Sequence, residues 1–246
     1  MTRFVPFDIV KTNYRKKMAT LIKATNVSKV YHKTAVPVHA VNNLSVEIAE
    51  GEFTAIVGPS GCGKTTLLNM MGGLDHPTAG KVEIDGVDIA QMRDSQLIDF
   101  RLKNIGFVFQ AYNLIPVLTA IENIEFIMLL QKRGRKERTA RAKQLLEEMA
   151  IADKANHRPG ELSGGQQQRV AVARALASSP RFILADEPPA NLDSASTENL
   201  LDLMARMNRE QKATFIFSTH DQRVMDKARR LVRLVDGAIV ADEVRG

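Results

Sequence analysis

Gly58-Pro59-Ser60-Gly61-Cys62-Gly63-Lys64-Thr65 narrows the folds open to this chain more than any other stretch, because of what flanks it. The spacing satisfies G-x-x-x-x-G-K-[ST]. Phe53-Thr54-Ala55-Ile56-Val57, just before it, is apolar on both faces, as a strand buried in a parallel sheet must be. Thr65 to Met71, just after it, has helix composition and stops at Gly72-Gly73. Strand, loop and helix in that order make a phosphate cradle. The glycines let backbone N–H groups wrap the phosphates and the helix N-terminus adds positive potential. Lys64 can reach the outer phosphate oxygens, Thr65 can ligate Mg²⁺, and Thr66 continues the cradle into the helix.

A second glycine-rich loop, Leu162-Ser163-Gly164-Gly165-Gln166, opens another helix far downstream. It offers a second set of N–H groups, from Ser163, Gly164, Gly165 and Gln166, to a phosphate that the first loop already holds. One chain cannot easily close both loops on one nucleotide. Two copies facing head to tail can, each lending its second loop to the other's ATP, so a homodimer joined through ATP is expected. Asp186-Glu187 follows the apolar strand Phe182 to Ala185, which would put both carboxylates at a strand's C-terminal end beside the first loop. Asp186 suits Mg²⁺ held through water, and Glu187 suits polarising the water that attacks the γ-phosphate. A capping pair is the structural alternative.

The 246 residues are enough for a full core, and 44% hydrophobic with 25% charged residues is ordinary for a globular chain. No apolar run approaches the roughly 18–20 residues of a membrane span. The single cysteine, Cys62, lies inside the phosphate loop, which fits a reducing compartment and a cytoplasmic location. Residues 1–18 lack the apolar core of a signal peptide and are expected to be a flexible basic extension ahead of one domain, 19–246. Net charge is +6. The basic run from Lys132 to Lys143 reads as a solvated helix face; without interleaved aromatic residues or a recognisable module, no nucleic-acid partner is expected.

Strands are expected at Leu21–Ala24, Val38–Val41 and Leu44–Ile48, and a hairpin strand at Val82–Gly86. Residues 94–160 read as mostly helical, for instance Ala140 to Met149. A helix from Ser163 to Ser178, the strand at Phe182, a helix at Ala195–Met207 and a strand at Thr214–Ser218 restore strand–helix alternation, the pattern of an open parallel sheet.

With these motifs in this order, residues 20–243 resemble the ATP-binding subunits of ABC (ATP-binding cassette) transporters. The resemblance implies an α/β fold: a P-loop NTPase (RecA-like) core with an antiparallel β subdomain and an α-helical subdomain at about 95–165. It implies that Tyr31, in Lys29-Val30-Tyr31, stacks on adenine, with a core tyrosine as the alternative. Gln110, closing Gly106-Phe107-Val108-Phe109-Gln110, would touch Mg²⁺ and report to a membrane subunit. Asn191-Leu192-Asp193 matches the D-loop, and His220 the switch histidine that contacts the γ-phosphate. Gly72 to Gly80, Asn113 to Asn123 and His157 to Glu161 look like the lipoprotein-releasing and macrolide-export group. That group works peripherally on the cytoplasmic face of the inner membrane with integral permease subunits. A soluble ABC ATPase acting on nucleic acid or ribosomes, an importer ATPase and a regulatory module without turnover are the rival readings. The chain departs from the family at Pro188-Pro189, where Thr commonly follows Glu-Pro. The second proline removes an N–H beside the D-loop and is expected to spare folding but alter communication between copies.

Overall fold

Apolar residues on both sides of a strand require cover on both sides, and the computed structural model supplies it. It describes residues 19–32 and 36–245; the expectation for residues 1–18 lies outside them. In chain order come β1 (Thr20–Tyr31), β2 (Val38–Ala49), β3 (Phe53–Val57), α1 (Lys64–Met71), β4 (Ala79–Ile84) and β5 (Val87–Asp88). Then follow α2 (Asp94–Asn104), β6 (Ile105–Val108), α3 (Ala120–Leu130), α4 (Arg135–Glu148), α5 (Gly164–Ala177) and β7 (Phe182–Asp186). The chain closes with α6 (Ser194–Gln211), β8 (Thr214–Thr219), α7 (Gln222–Lys227), β9 (Arg230–Val235) and β10 (Ala238–Val244).

These strands form two sheets. The first is antiparallel, in the order β2-β1-β4-β5. The second has the order β10-β9-β3-β8-β7-β6 and is parallel except for β10 at one edge. All five residues of β3 and all six of β8 are buried. Alternation splits them between two cores. Ile56, Phe182, Leu184, Ile216 and Val232 meet α1 and the antiparallel sheet. Phe53, Ala55, Ile183, Phe215 and Phe217 face the opposite way, toward residues of α3, α4, α5 and α6.

The structure revises the sequence reading in three places. Val38–Val41 and Leu44–Ile48 are one strand, β2, in which Asn43 at φ 44° takes up an irregularity in the pairing with β1. Ile105–Val108, inside the span read as mostly helical, is the sixth strand of the parallel sheet. Four residues with a central glycine carry little local signal; pairing with β7 decides their state. Gly106 is needed there, because a Cβ would stand 2.6 Å from the Ala175 carbonyl oxygen of α5. The hairpin β9–β10, which turns at Asp236-Gly237, completes the sheet at its other edge.

A buried ion network pins that edge to the body of the sheet. Arg230, 3% exposed, donates to both carboxylate oxygens of Asp242 (2.8 and 2.9 Å), to Glu52 Oε2 (2.8 Å) and to the Glu47 carbonyl (2.7 Å). Burial alone would lower the Arg230 pKa, but the two carboxylates outweigh it and raise it. Fully paired in this way, the charge is tolerable in the interior.

Candidate functional site

The C-terminal end of β3 delivers the chain into the Gly58–Gly63 loop, and the local geometry explains its glycines. Gly58 has φ 156° and a Cβ would lie 2.2 Å from the Leu234 carbonyl oxygen; at Gly63, φ 100°, it would lie 2.1 Å from the Ala40 carbonyl oxygen. The loop is thus pressed between β9 and β2. Cys62 turns into the core, its N–H donating to Pro59 and its carbonyl accepting from Gly237. Helix α1 begins at Lys64 with no side-chain cap. Its first N–H groups are therefore left for a ligand, and the dipole favours an anion there.

Charged and polar side chains converge on this helix start. The Lys64 ammonium donates to the carbonyls of Gly58 (2.8 Å) and Pro59 (2.9 Å), which folds it over the loop. Thr65 Oγ1 lies 3.0 Å from each carboxylate oxygen of Asp186, at the end of β7. A hydroxyl and a carboxylate are the hard oxygen donors that Mg²⁺ takes, with phosphate oxygens completing its shell. Among the described residues no cluster of three or more His, Cys, Asp or Glu could hold a metal unaided. Glu187 adopts φ 46°, a left-handed conformation rare outside glycine and concentrated at functional sites. Its N–H donates to Ser218 of β8 (2.9 Å), Oε2 accepts from the Thr219 hydroxyl (3.0 Å), and Oε1 meets His220 Nδ1 at 2.7 Å. His220 stays mostly exposed while Glu187 is largely covered.

An open cleft of about 380 Å³ gathers Ser60, Gly61, Gly63, Lys64, Thr65, Thr66, Gln110, Glu187 and His220. Val38 and Ala40 of β2 also line it, and nothing in their sequence marked them out. Asp186 reaches the cleft through Thr65. Tyr31 stands outside its lining, beside Thr66; its hydroxyl donates to Asp75 (2.6 Å) and the Lys29 ammonium lies 4.9 Å from its ring centre. Burial and the Asp75 partner raise the Tyr31 pKa. Burial would raise Asp75, but hydrogen bonds from Lys29, Tyr31 and the His76 N–H outweigh it and lower it.

Ser163, Gly164, Gly165 and Gln166 do not line this cleft. Ser163 caps α5 and forms a reciprocal pair with Gln166: the Gln166 N–H donates to Ser163 Oγ and the Ser163 N–H to Gln166 Oε1. A Cβ on Gly164 would meet the Tyr112 hydroxyl at 2.8 Å, and one on Gly165 the Ser196 hydroxyl at 3.2 Å, so this loop packs beside the D-loop. From the same helix, Arg174 holds the carbonyls of Tyr112 and Asn113, just past Gln110. Asn191 Nδ2 donates to the Gln110 carbonyl (3.0 Å). Pro188 and Pro189 are buried in the turn that joins Glu187 to Asn191; the Ala190 N–H donates to Glu187 and the Leu192 N–H to Pro189.

A parallel sheet with this cradle, and acids at the end of a neighbouring strand, defines a P-loop nucleotide hydrolase. The chain belongs to the ABC transporter family, whose profile matches residues 41–190. It is an ATP-binding, ATP-hydrolysing cassette of that family. An uncharacterized ABC transporter ATP-binding protein of Thermotoga maritima is 47% identical over 93% of this chain and 97% of the relative. The lipoprotein-releasing system ATP-binding protein LolD of Geobacter metallireducens is 42% identical over 92% of this chain and all of the relative. The macrolide export ATP-binding/permease protein MacB of Brucella melitensis is 42% identical over 92% of this chain, which matches 35% of that longer protein. The dimeric structure of the cassette MJ0796 superposes with a TM-score of 0.86 at 44% identity, over 92% of this chain and all of that one.

Proposed function

We propose that two copies of this chain close head to tail around two Mg²⁺-ATP and that this closure drives export or extraction of a lipoprotein, lipid or drug-like substrate through separate membrane subunits. The observation that carries the dimer is the position of the second glycine loop: it does not line the cleft of its own chain, and Ser163 at its helix start is exposed. Solved dimers of a 44% identical cassette, one of them with ADP and Pi bound, support the pairing of two copies.

In this reading each cleft residue has one task. The N–H groups of Gly58–Thr66 and the Lys64 ammonium, released from its two carbonyls, bind the β and γ phosphates. Thr65, with Asp186 through water and Gln110, holds Mg²⁺, which offsets phosphate charge when bound. Glu187 orients the attacking water and takes its proton; His220, anchored to it, contacts the γ-phosphate. Ser163–Gln166 of the second copy closes over that phosphate, and Tyr31 stacks on the adenine.

The membrane connection rests on a groove of about 320 Å³ lined by Phe107, Phe109, Ile115, Phe126, Leu130 and Arg174 among others. Phe126 and Leu130 are exposed there, and Arg174 also holds the loop after Gln110. An apolar helical segment of a permease seated in this groove would feel each movement of Gln110. Among the described residues no helix is long and apolar enough to cross a membrane. A peripheral position on the cytoplasmic face of the inner membrane fits that groove, with the span 95–165 moving as a helical subdomain. Glu187→Gln, loaded with ATP and Mg²⁺, should run as a dimer in light scattering and as a monomer after chelation. A protein that stays monomeric in both, with or without its permease, would end this reading.

A further inference from the structure

The charge along α4 runs against its own dipole. Helices gain from acids in the first turn and bases in the last, yet α4 opens with Arg135-Lys136 against one acid, Glu137, and closes with Glu147-Glu148 and no base. Helix stability therefore does not account for these cations. Local pairing accounts for few of them. Residues 131–143 contain seven Lys or Arg and one acid, Glu137. Arg133 is engaged by Glu137 (3.5 Å) and by the Ser178 carbonyl (3.0 Å), and Arg138 lies 3.8 Å from Glu125. The side chains of Lys132, Arg135, Lys136 and Lys143 are exposed and have no ion-pair or hydrogen-bond partner among the described residues.

The same end of the α3–α4 pair carries exposed apolar side chains. Leu129 is 50% exposed and Leu130 49%, in the last turn of α3, one residue short of Lys132. The turn is not a loose one: Gln131 donates to the Leu102 carbonyl (2.9 Å), and Arg133 to Ser178, so the tip is fixed to the body of the protein. Free cations beside free leucines match a surface that is anionic outside and apolar a few ångströms in. An acidic protein segment would complement the cations and leave the leucines unexplained.

We propose that the α3–α4 tip binds the anionic lipid surface of the membrane, with Lys132, Arg135 and Lys136 at the tip and Lys143 further along α4 among the headgroup phosphates, and Leu129 at the acyl boundary. This goes beyond the transporter reading. It agrees in direction with the groove proposed for the permease, whose wall includes Leu130, but lipid contact at the tip requires no permease, so the two can fail separately.

The test is flotation of the full chain with vesicles of phosphatidylcholine, with and without phosphatidylglycerol, at low and high salt. The parent should bind only the anionic vesicles and release at high salt. Combined Lys132→Glu, Arg135→Glu, Lys136→Glu and Lys143→Glu should lower partitioning on the order of a hundredfold or more, since each basic residue near such a surface is worth roughly fivefold. An unchanged ATPase rate would show that this variant folds, because none of the four lies near the cleft. Leu129→Ser should weaken binding several-fold at low salt. A parent that ignores anionic vesicles overturns the proposal, and so does a charge-reversed variant that binds them as the parent does.

Discussion

Gly58–Thr66 and Ser163–Gln166 are both glycine-rich openings of helices, yet one is completed by its own chain and the other is not. Around the first, Asp186, Glu187 and His220 arrive from the ends of β7 and β8, with Glu187 and His220 lining the cleft and Asp186 bonded to Thr65 within it. Around the second, Ser163 and Gln166 satisfy only each other, and the loop rests on Tyr112 and the D-loop. On the proposed function, folding builds the first half-site and association supplies the second. In this account nucleotide affinity belongs to the single chain and turnover to the pair.

The largest test of that division is Glu187→Gln. Removing a general base costs about 10²–10⁴ in rate, so steady-state ATPase should fall by that much while nucleotide titration of the monomer is unaffected. Normal turnover would place the base elsewhere. Ser163→Ala probes the other half: losing an N-cap costs about 1 kcal/mol, so ATP-driven dimerisation measured by light scattering should weaken about fivefold with monomer affinity for ATP intact. Equal losses in both quantities would erase the distinction between the loops. Pro189→Thr should fold normally and change the Hill coefficient of ATP hydrolysis more than the maximal rate, since Pro189 lies between Glu187 and the D-loop. If rate and cooperativity are both unchanged, the second proline is inert.

The smallest effect concerns the rim. The Asp75 carboxyl is held below the usual 3.8, so its contribution to stability is complete above that value and is lost as pH falls through the lower folded pKa. Asp75→Asn should remove this part of the acid dependence in denaturation experiments and leave neutral-pH turnover almost unchanged. A large drop in turnover would show that the Asp75 bond is what holds Tyr31 in place for the adenine.

What the sequence discloses follows the range of the forces involved. β3 and β7 are legible because they are continuous apolar runs, and α5 because Val170, Val172 and Leu176 carry a helical run onward from Ser163. The cradle is legible because its spacing encodes its own geometry. β6 is hidden: Ile105–Val108 becomes a strand only through β7, and Gly106, which reads as a breaker, is there so that α5 can approach. The place of Val38 and Ala40 in the cleft is equally hidden, since it depends on β2 crossing Gly63. The ion network around Arg230 that secures the β9–β10 hairpin is hidden too, because it joins residues as far apart as Glu52 and Asp242. Tyr31 was visible as an aromatic residue at a suitable place, whereas its bond to Asp75 needed the fold.

The most direct measurement mixes two disabled proteins, Lys64→Ala and Ser163→Arg, each without ATPase activity alone. In a head-to-tail pair one composite site would combine both defects and the other would join an intact cradle to an intact capping loop. The account predicts that activity returns on mixing, to no more than about half of the parent rate per dimer if the two sites act independently. A mixture as inactive as its components, although it forms mixed dimers, would contradict the claim that each ATP is held by two chains.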